Sequence, residues 1–174
     1  MHYPTLRLLP RKEESILRLH PWVFSGAIAS YSEPVTDGSL VTVLDSKGKP
    51  LGTGHFGGGS IAVRLLSFSG EEIIDREFYK ARLQAALGLR LDCGLVRPEG
   101  SCERPNNTYR LVHGEGDGLP GLVIDIYDRT AVLQAHSMGM HEARMMIAEA
   151  LQEVYEEAGD PVAPLAGIYY KSES

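Results

Sequence analysis

The 174-residue sequence has only two cysteines, Cys93 and Cys102, too few to staple a small secreted scaffold and in keeping with a reduced chain. Their spacing permits a bridge, but no histidine or cation beside them marks out a thiol nucleophile, so both are read as structurally incidental. No apolar run approaches the roughly 18 residues of a membrane span, and the N-terminal stretch lacks the basic-then-apolar layout of a secretory signal. The chain is therefore expected in the cytoplasm, away from membranes. Net positive charge is missing too: the formal charge is −6 and the pI about 5.5, which excludes a uniformly basic nucleic-acid binder. None of the six histidines pairs with Cys, Asp or Glu at a ligand spacing, so no metal site is expected. Gly-x-x-x-x-Gly-Lys-Ser/Thr and Gly-x-Ser-x-Gly are both absent, removing the P-loop and the nucleophile elbow.

With 43% hydrophobic and 23% charged residues, the composition is that of an ordinary globular chain, long enough to bury a core without staples. Charge is unevenly placed. Residues 1–70 carry seven Lys or Arg against five acids, a net of +2, whereas residues 105–174 carry four against eleven, a net of −7. The first part can face a phosphate backbone and the last would repel one, which argues for two units with different tasks.

Hydrophobic periodicity predicts a strand at Thr5–Leu9, a short helix over Lys12–Leu19 with Ile16, Leu17 and His20 on one side, and strands at Leu40–Leu44, Leu51–Phe56 and Ile61–Leu66. Short strands at this spacing indicate a small barrel or sandwich. Asp75 then reads as the N-cap of a helix over 75–91, and Gly94–Asn107 as a loop. Strands follow at Tyr109–His113, Leu122–Tyr127 and Ala131–His136, then one helix over Gly139–Ala158 closed by Gly159, and a last strand at Ile168–Tyr170. That order describes a mixed α+β unit.

Two stretches match Gly-x-Gly-x-x-Gly, at Gly52–Gly57 and Gly116–Gly121, but each runs into a strand-like segment rather than the helix that would receive a pyrophosphate. Arg18-Leu19-His20-Pro21-Trp22-Val23-Phe24-Ser25-Gly26 is more informative, because it sets cations and rings side by side near Arg11 and Lys12. Such a mix can hold phosphate while a ring stacks on an unpaired base. Judged from the residues alone, however, Trp22 and Phe24 are better read as plugs of the barrel with His20 at its rim. The glycine-rich segment Gly114–Asp125 is a sharp loop between strands; its acids either orient a ligand or bond the loop's own amides, and the second reading is preferred.

Together with Val43-Leu44-Asp45-Ser46-Lys47-Gly48, Leu51-Gly52-Thr53-Gly54 and Tyr109-Arg110-Leu111-Val112, these segments resemble the front part of bacterial S-adenosylmethionine-dependent ribosomal RNA cytosine methyltransferases. The resemblance runs in order from about residue 5 to the end. It implies a mixed α+β chain: an N-terminal PUA-like β pseudo-barrel (1–70) that binds RNA, a connecting helix and loop (71–107), and a central domain of strand-strand-helix-strand-strand type (108–174), incomplete at its C-terminus. It implies a family reaction at carbon 5 of a cytosine in 23S ribosomal RNA, with S-adenosylmethionine as donor. The family's donor pocket and catalytic cysteine lie in a further Rossmann-like domain with no counterpart before Ser174, so this chain is expected to bind no donor, to contribute no catalytic residue and to be inactive alone. A stand-alone RNA-binding or ribosome-assembly module is the other expectation. Arg7, Lys12, Arg18, His20, Lys47, Lys49 and Arg64 are the expected RNA contacts, with Arg110, Glu115, Asp117 and Asp125 shaping a cleft in the central domain. The last strand should leave an open edge near residues 168–171, through which a homodimer can pair.

Overall fold

The structure is a computed structural model that describes residues 3–97, 106–160 and 162–171. Two compact units emerge, one of residues 1–73 with 137–142, the other of residues 74–136 with 143–174.

The first unit is built on β1 (Thr5–Leu8), the one-turn helix α1 (Glu14–Leu17), β2 (Trp22–Phe24), β3 (Ile28–Tyr31), β4 (Leu40–Leu44), β5 (Pro50–Phe56) and β6 (Ile61–Ser67). The six strands form one sheet in the order β2-β6-β5-β4-β1-β3, antiparallel except where β1 runs parallel to β4. Its core holds Leu6, Leu8, Val23, Val41, Val43, Val63 and Leu65, the inward positions that strand alternation selects. The expected helix over Lys12–Leu19 is shorter than its pattern suggests. Leu19 adopts φ +62° and ends it after one turn, so Ile16 alone enters the core while Leu17 and His20 stay exposed. Strand β3, absent from the sequence reading, is an edge strand with only Ile28 half-buried, so its residues carry no alternation to detect.

The first glycine match lies within β5. A Cβ on Gly54 would fall 2.2 Å from the Arg64 carbonyl oxygen, and one on Gly52 would fall 2.6 Å from that of Ser67. Those glycines serve close approach of β5 and β6, not a phosphate.

The second unit contains α2 (Arg76–Asp92), β7 (Thr108–His113), β8 (Leu122–Tyr127), β9 (Thr130–Ala135), α4 (Arg144–Ala158) and β10 (Gly167–Lys171). Its sheet has the order β10-β9-β8-β7; the last three strands form an antiparallel meander, and α4 crosses over so that β10 pairs parallel to β9. β10 is thus an edge strand. Asp75 caps α2 by accepting the Phe78 N–H at 3.0 Å. Rather than merely connecting, α2 packs on α4, where Arg76 and Lys80 pair with Glu153 and Glu157. Arg97 and Asn106 bridge the two ends of the predicted loop, and Cys102 lies outside the described residues.

The helix predicted over 139–158 is two helices. α3 (Met138–Glu142) groups with the first unit, and α4 begins after Ala143. The apolar repeat runs through both, but Met140 serves one core and Ile147, Leu151 and Tyr155 serve the other, so periodicity could not reveal the break. Gly139 lies directly on the His55 ring: a Cβ there would be 2.1 Å from Cγ. His55, 5% exposed, is pushed down by burial to a pKa of about 4 from its ordinary 6.5.

Because the folded pKa is depressed, the unfolded chain binds the extra proton between about pH 6.5 and 4, and stability is lost as pH falls through that window. From pH 7 to pH 5 this group alone should cost about 2 kcal/mol. Urea unfolding of His55→Gln should show a correspondingly flatter pH dependence than the unsubstituted chain.

Candidate nucleic-acid interface

Strand β2 decides the character of one end of the barrel sheet. It is three residues long, and period-two alternation buries Val23 at 3% exposure, which turns Trp22 and Phe24 to the opposite face. Trp22 is half-buried and Phe24 is 50% exposed, so neither plugs the barrel as the residues alone suggested. Val23 fills that place. The outward side chains form a row: the His20 and Trp22 rings meet edge-on at 5.5 Å, and those of Trp22 and Phe24 at 6.4 Å. His20 Nδ1 accepts the Trp22 backbone N–H at 3.2 Å, which fixes the imidazole as an acceptor on that side. Arg64 of β6 stands opposite Trp22 in the pairing register and therefore on the same face.

The other predicted contacts fall elsewhere on the first unit. Arg7 on β1 reaches the Ser46 carbonyl at 3.5 Å, beside the β4–β5 turn that carries Lys47 and Lys49. In that turn Asp45 Oδ1 accepts the N–H groups of Lys47 and Lys49, both at 2.8 Å, and the carboxyl is held below its ordinary pKa, first by the Lys49 amide. Both lysine side chains are exposed. Strands β5 and β4 separate Arg64 from Arg7, a distance of roughly 14 Å across the sheet. Lys12 is exposed in the turn between β1 and α1, and Arg18 is exposed at the end of α1. The structure therefore brings His20 and Arg64 together with two rings, leaves Arg18 exposed at the end of α1, and sets Arg7, Lys47 and Lys49 apart as a second basic group.

A contrast in pairing separates the two units. None of Arg7, Arg11, Lys12, Arg18, Lys47, Lys49 and Arg64 lies within 4 Å of a carboxylate among the described residues, whereas Arg76, Lys80, Arg90 and Arg110 of the second unit all do. Arg110 pairs with Asp125 through two bonds of 2.8 and 3.0 Å across the β7–β8 register and touches His113 Nδ1 at 3.3 Å. Asp117 is gripped by Arg90 at 2.5 and 2.8 Å and accepts the His113 N–H at 2.6 Å. Glu115 stays on the surface of the 3₁₀ turn Gly114–Asp117. Asp117 holds the loop together through the His113 amide, in line with the preferred reading of the sequence, and beside it lies a cavity of about 550 Å³ walled by Leu89, Cys93, Leu95 and Tyr109. Arg90 escaped the sequence reading. Its spacing from Leu83 and Leu87 sets a cation on the buried stripe of α2, and that was the available signal.

No group of three or more metal-ligating side chains occurs among the described residues. No helix among them is long and apolar enough to cross a membrane.

Replacing Arg90 by Met strands a buried carboxylate and should destabilise the second unit by about 3–5 kcal/mol, whereas the double change Arg90→Met with Asp117→Leu should recover much of the loss. Urea unfolding of the single and double variants checks this.

Residues 6–68 match the PUA-like domain family. Over 156 residues, 88% of its length, the chain is 39% identical to "Ribosomal RNA large subunit methyltransferase I" of Yersinia pseudotuberculosis, and equally to that of Yersinia pestis. It spans only 38% of the length of each. A solved structure described as "A putative sam-dependent methyltransferase from Streptococcus mutans" shares the fold, with TM-score 0.74 and 19% identity over 98% of this chain and 40% of that one. Another, described as complexed with SAH, aligns with TM-score 0.73 and 18% identity over the same shares. The chain therefore carries a PUA-like domain and is related, over most of its own length, to part of the large-subunit ribosomal RNA methyltransferases.

Proposed function

We propose that this chain is the RNA-recognition portion of a large-subunit ribosomal RNA methyltransferase, binding ribosomal RNA through its barrel unit. The observation that carries this reading is the unequal pairing of cations. In the second unit Arg76, Lys80, Arg90 and Arg110 are engaged by internal carboxylates, while among the described residues no barrel cation forms such a pair and each is left to meet charge from outside. The PUA-like match covers that same unit. The reaction it serves is methyl transfer from S-adenosylmethionine to carbon 5 of a cytosine in the large-subunit RNA.

The donor is bound outside this chain. Neither glycine-rich stretch fits it: one lies in β5 and the other turns into β8, so neither opens the helix whose N-terminus would take a nucleotide-like group. The reading places the protein in the cytoplasm, where its RNA is, and includes pairing of two copies at the open β10 edge, whose backbone groups can accept another strand.

Binding of the chain to a fragment of large-subunit RNA should weaken with salt, with a log–log slope of about −2 to −3 for three or four single-strand phosphate contacts. Arg18→Ala and Lys12→Ala should each make that slope shallower by about 0.7. Calorimetric titration with S-adenosylmethionine should show no binding. Absence of RNA binding at low salt would overturn the RNA assignment, and micromolar donor affinity would overturn the placement of the donor outside this chain.

A further inference from the structure

Edge strand β2 and the adjoining Arg64 of β6 have properties that a duplex-binding surface does not need. Trp22 is the only tryptophan of the chain, and together with half-exposed Phe24 it is held on the side of the strand opposite Val23. The row His20, Trp22, Phe24 has ring separations of 5.5 and 6.4 Å, well above the 3.4 Å between stacked bases of a duplex. A duplex would offer these rings only the edges of its stack. Bases drawn apart from one another can each reach a ring.

Arg64 completes the face. It stands opposite Trp22 in register, and among the described residues no carboxylate lies within ion-pair range of it. Its Nη1 lies 3.4 Å from the point a Cβ on Gly57 would occupy, so the guanidinium rests against the β5–β6 hairpin tip. Asp37 Oδ1 is 3.9 Å from that same point. At the tip itself, a Cβ on Gly58 or Gly59 would meet nothing within 4 Å, and neither glycine has a positive φ. Packing and backbone conformation therefore do not demand glycine at either position. What bare backbone provides there is room for another chain's backbone to come close.

We infer that this face takes an unpaired RNA strand, with successive bases seated on Trp22 and Phe24 and a phosphate held by Arg64 against the Gly57–Ser60 tip. The inference deepens the RNA-binding reading above and rests on it. It names single-stranded over double-stranded RNA as the substrate class, and it assigns Trp22 and Phe24 as contacts alongside the basic residues.

Trp22 supplies its own reporter, since no other indole contributes to the emission. The chain is titrated with a short, unstructured, fluorescein-labelled oligoribonucleotide and with the blunt duplex of the same sequence, at one salt concentration, reading anisotropy and tryptophan emission. The single strand should quench Trp22 and bind on the order of tenfold more tightly than the duplex. Phe24→Ala should weaken single-strand binding on the order of tenfold and leave duplex binding within about twofold; Phe24→Leu, which keeps the bulk but not the ring, should behave like the alanine variant. Phe24 is half exposed, so these variants test the face without emptying the core. Arg64→Gln should reduce the single-strand salt slope by about 0.7. Equal binding of both RNAs, unmoved by Phe24→Ala, would overturn this inference while leaving the RNA-binding reading intact. No binding of either RNA would overturn both.

Discussion

The pairing of Val23 with Val63 settles which way the barrel's rings point. With Val23 held in the core, Trp22 and Phe24 have no place but the outer face, and a slip of one residue would exchange the two sets. The register is pinned from both ends of the short strand. The Pro21 carbonyl accepts the Leu65 N–H at 2.7 Å, and the Ser25 N–H reaches the Ser60 carbonyl at 2.9 Å. Each such bond contributes about 1 kcal/mol, and a slipped strand would forfeit them together. The aromatic row, its alignment with Arg64 and the hairpin tip beside it all follow from that register.

Charge then divides the labour between the units. In the second, four cations face carboxylates: Arg76 and Lys80 tie α2 to α4, Arg110 ties β7 to β8, and the buried Arg90–Asp117 pair fixes the glycine-rich loop. A cation so engaged has little left for an external phosphate. In the barrel no lysine or arginine forms an ion pair among the described residues, and the net positive charge of residues 1–70 is available at the surface.

Much of this fold was legible in the sequence, for reasons that particular residues make plain. Leu40–Leu44 is a short apolar run bounded by turn residues, and Asp75 precedes an apolar stripe at helical spacing, so both elements appear where the pattern put them. What escaped depends on partners distant in the chain. The edge strand β3 buries too little to show a pattern. The break between α3 and α4 hides in a repeat that two separate cores share. At the interface, Arg18, His20 and Arg64 could be named from composition, but the outward turn of Trp22 and Phe24 could not. Large rings are ordinarily core residues, and only the strand register shows that the smaller Val23 took the inside.

RNA is proposed to meet this chain at β2, Arg64 of β6 and the tip between β5 and β6. Amide chemical-shift mapping of the isotope-labelled chain, titrated with single-stranded RNA, tests this placement most directly. The shifts should concentrate at residues 18–25 and 57–64, and the β7–β8 loop of residues 113–121 should stay unmoved. Shifts confined to that loop and its neighbouring cavity, with the barrel silent, would contradict it.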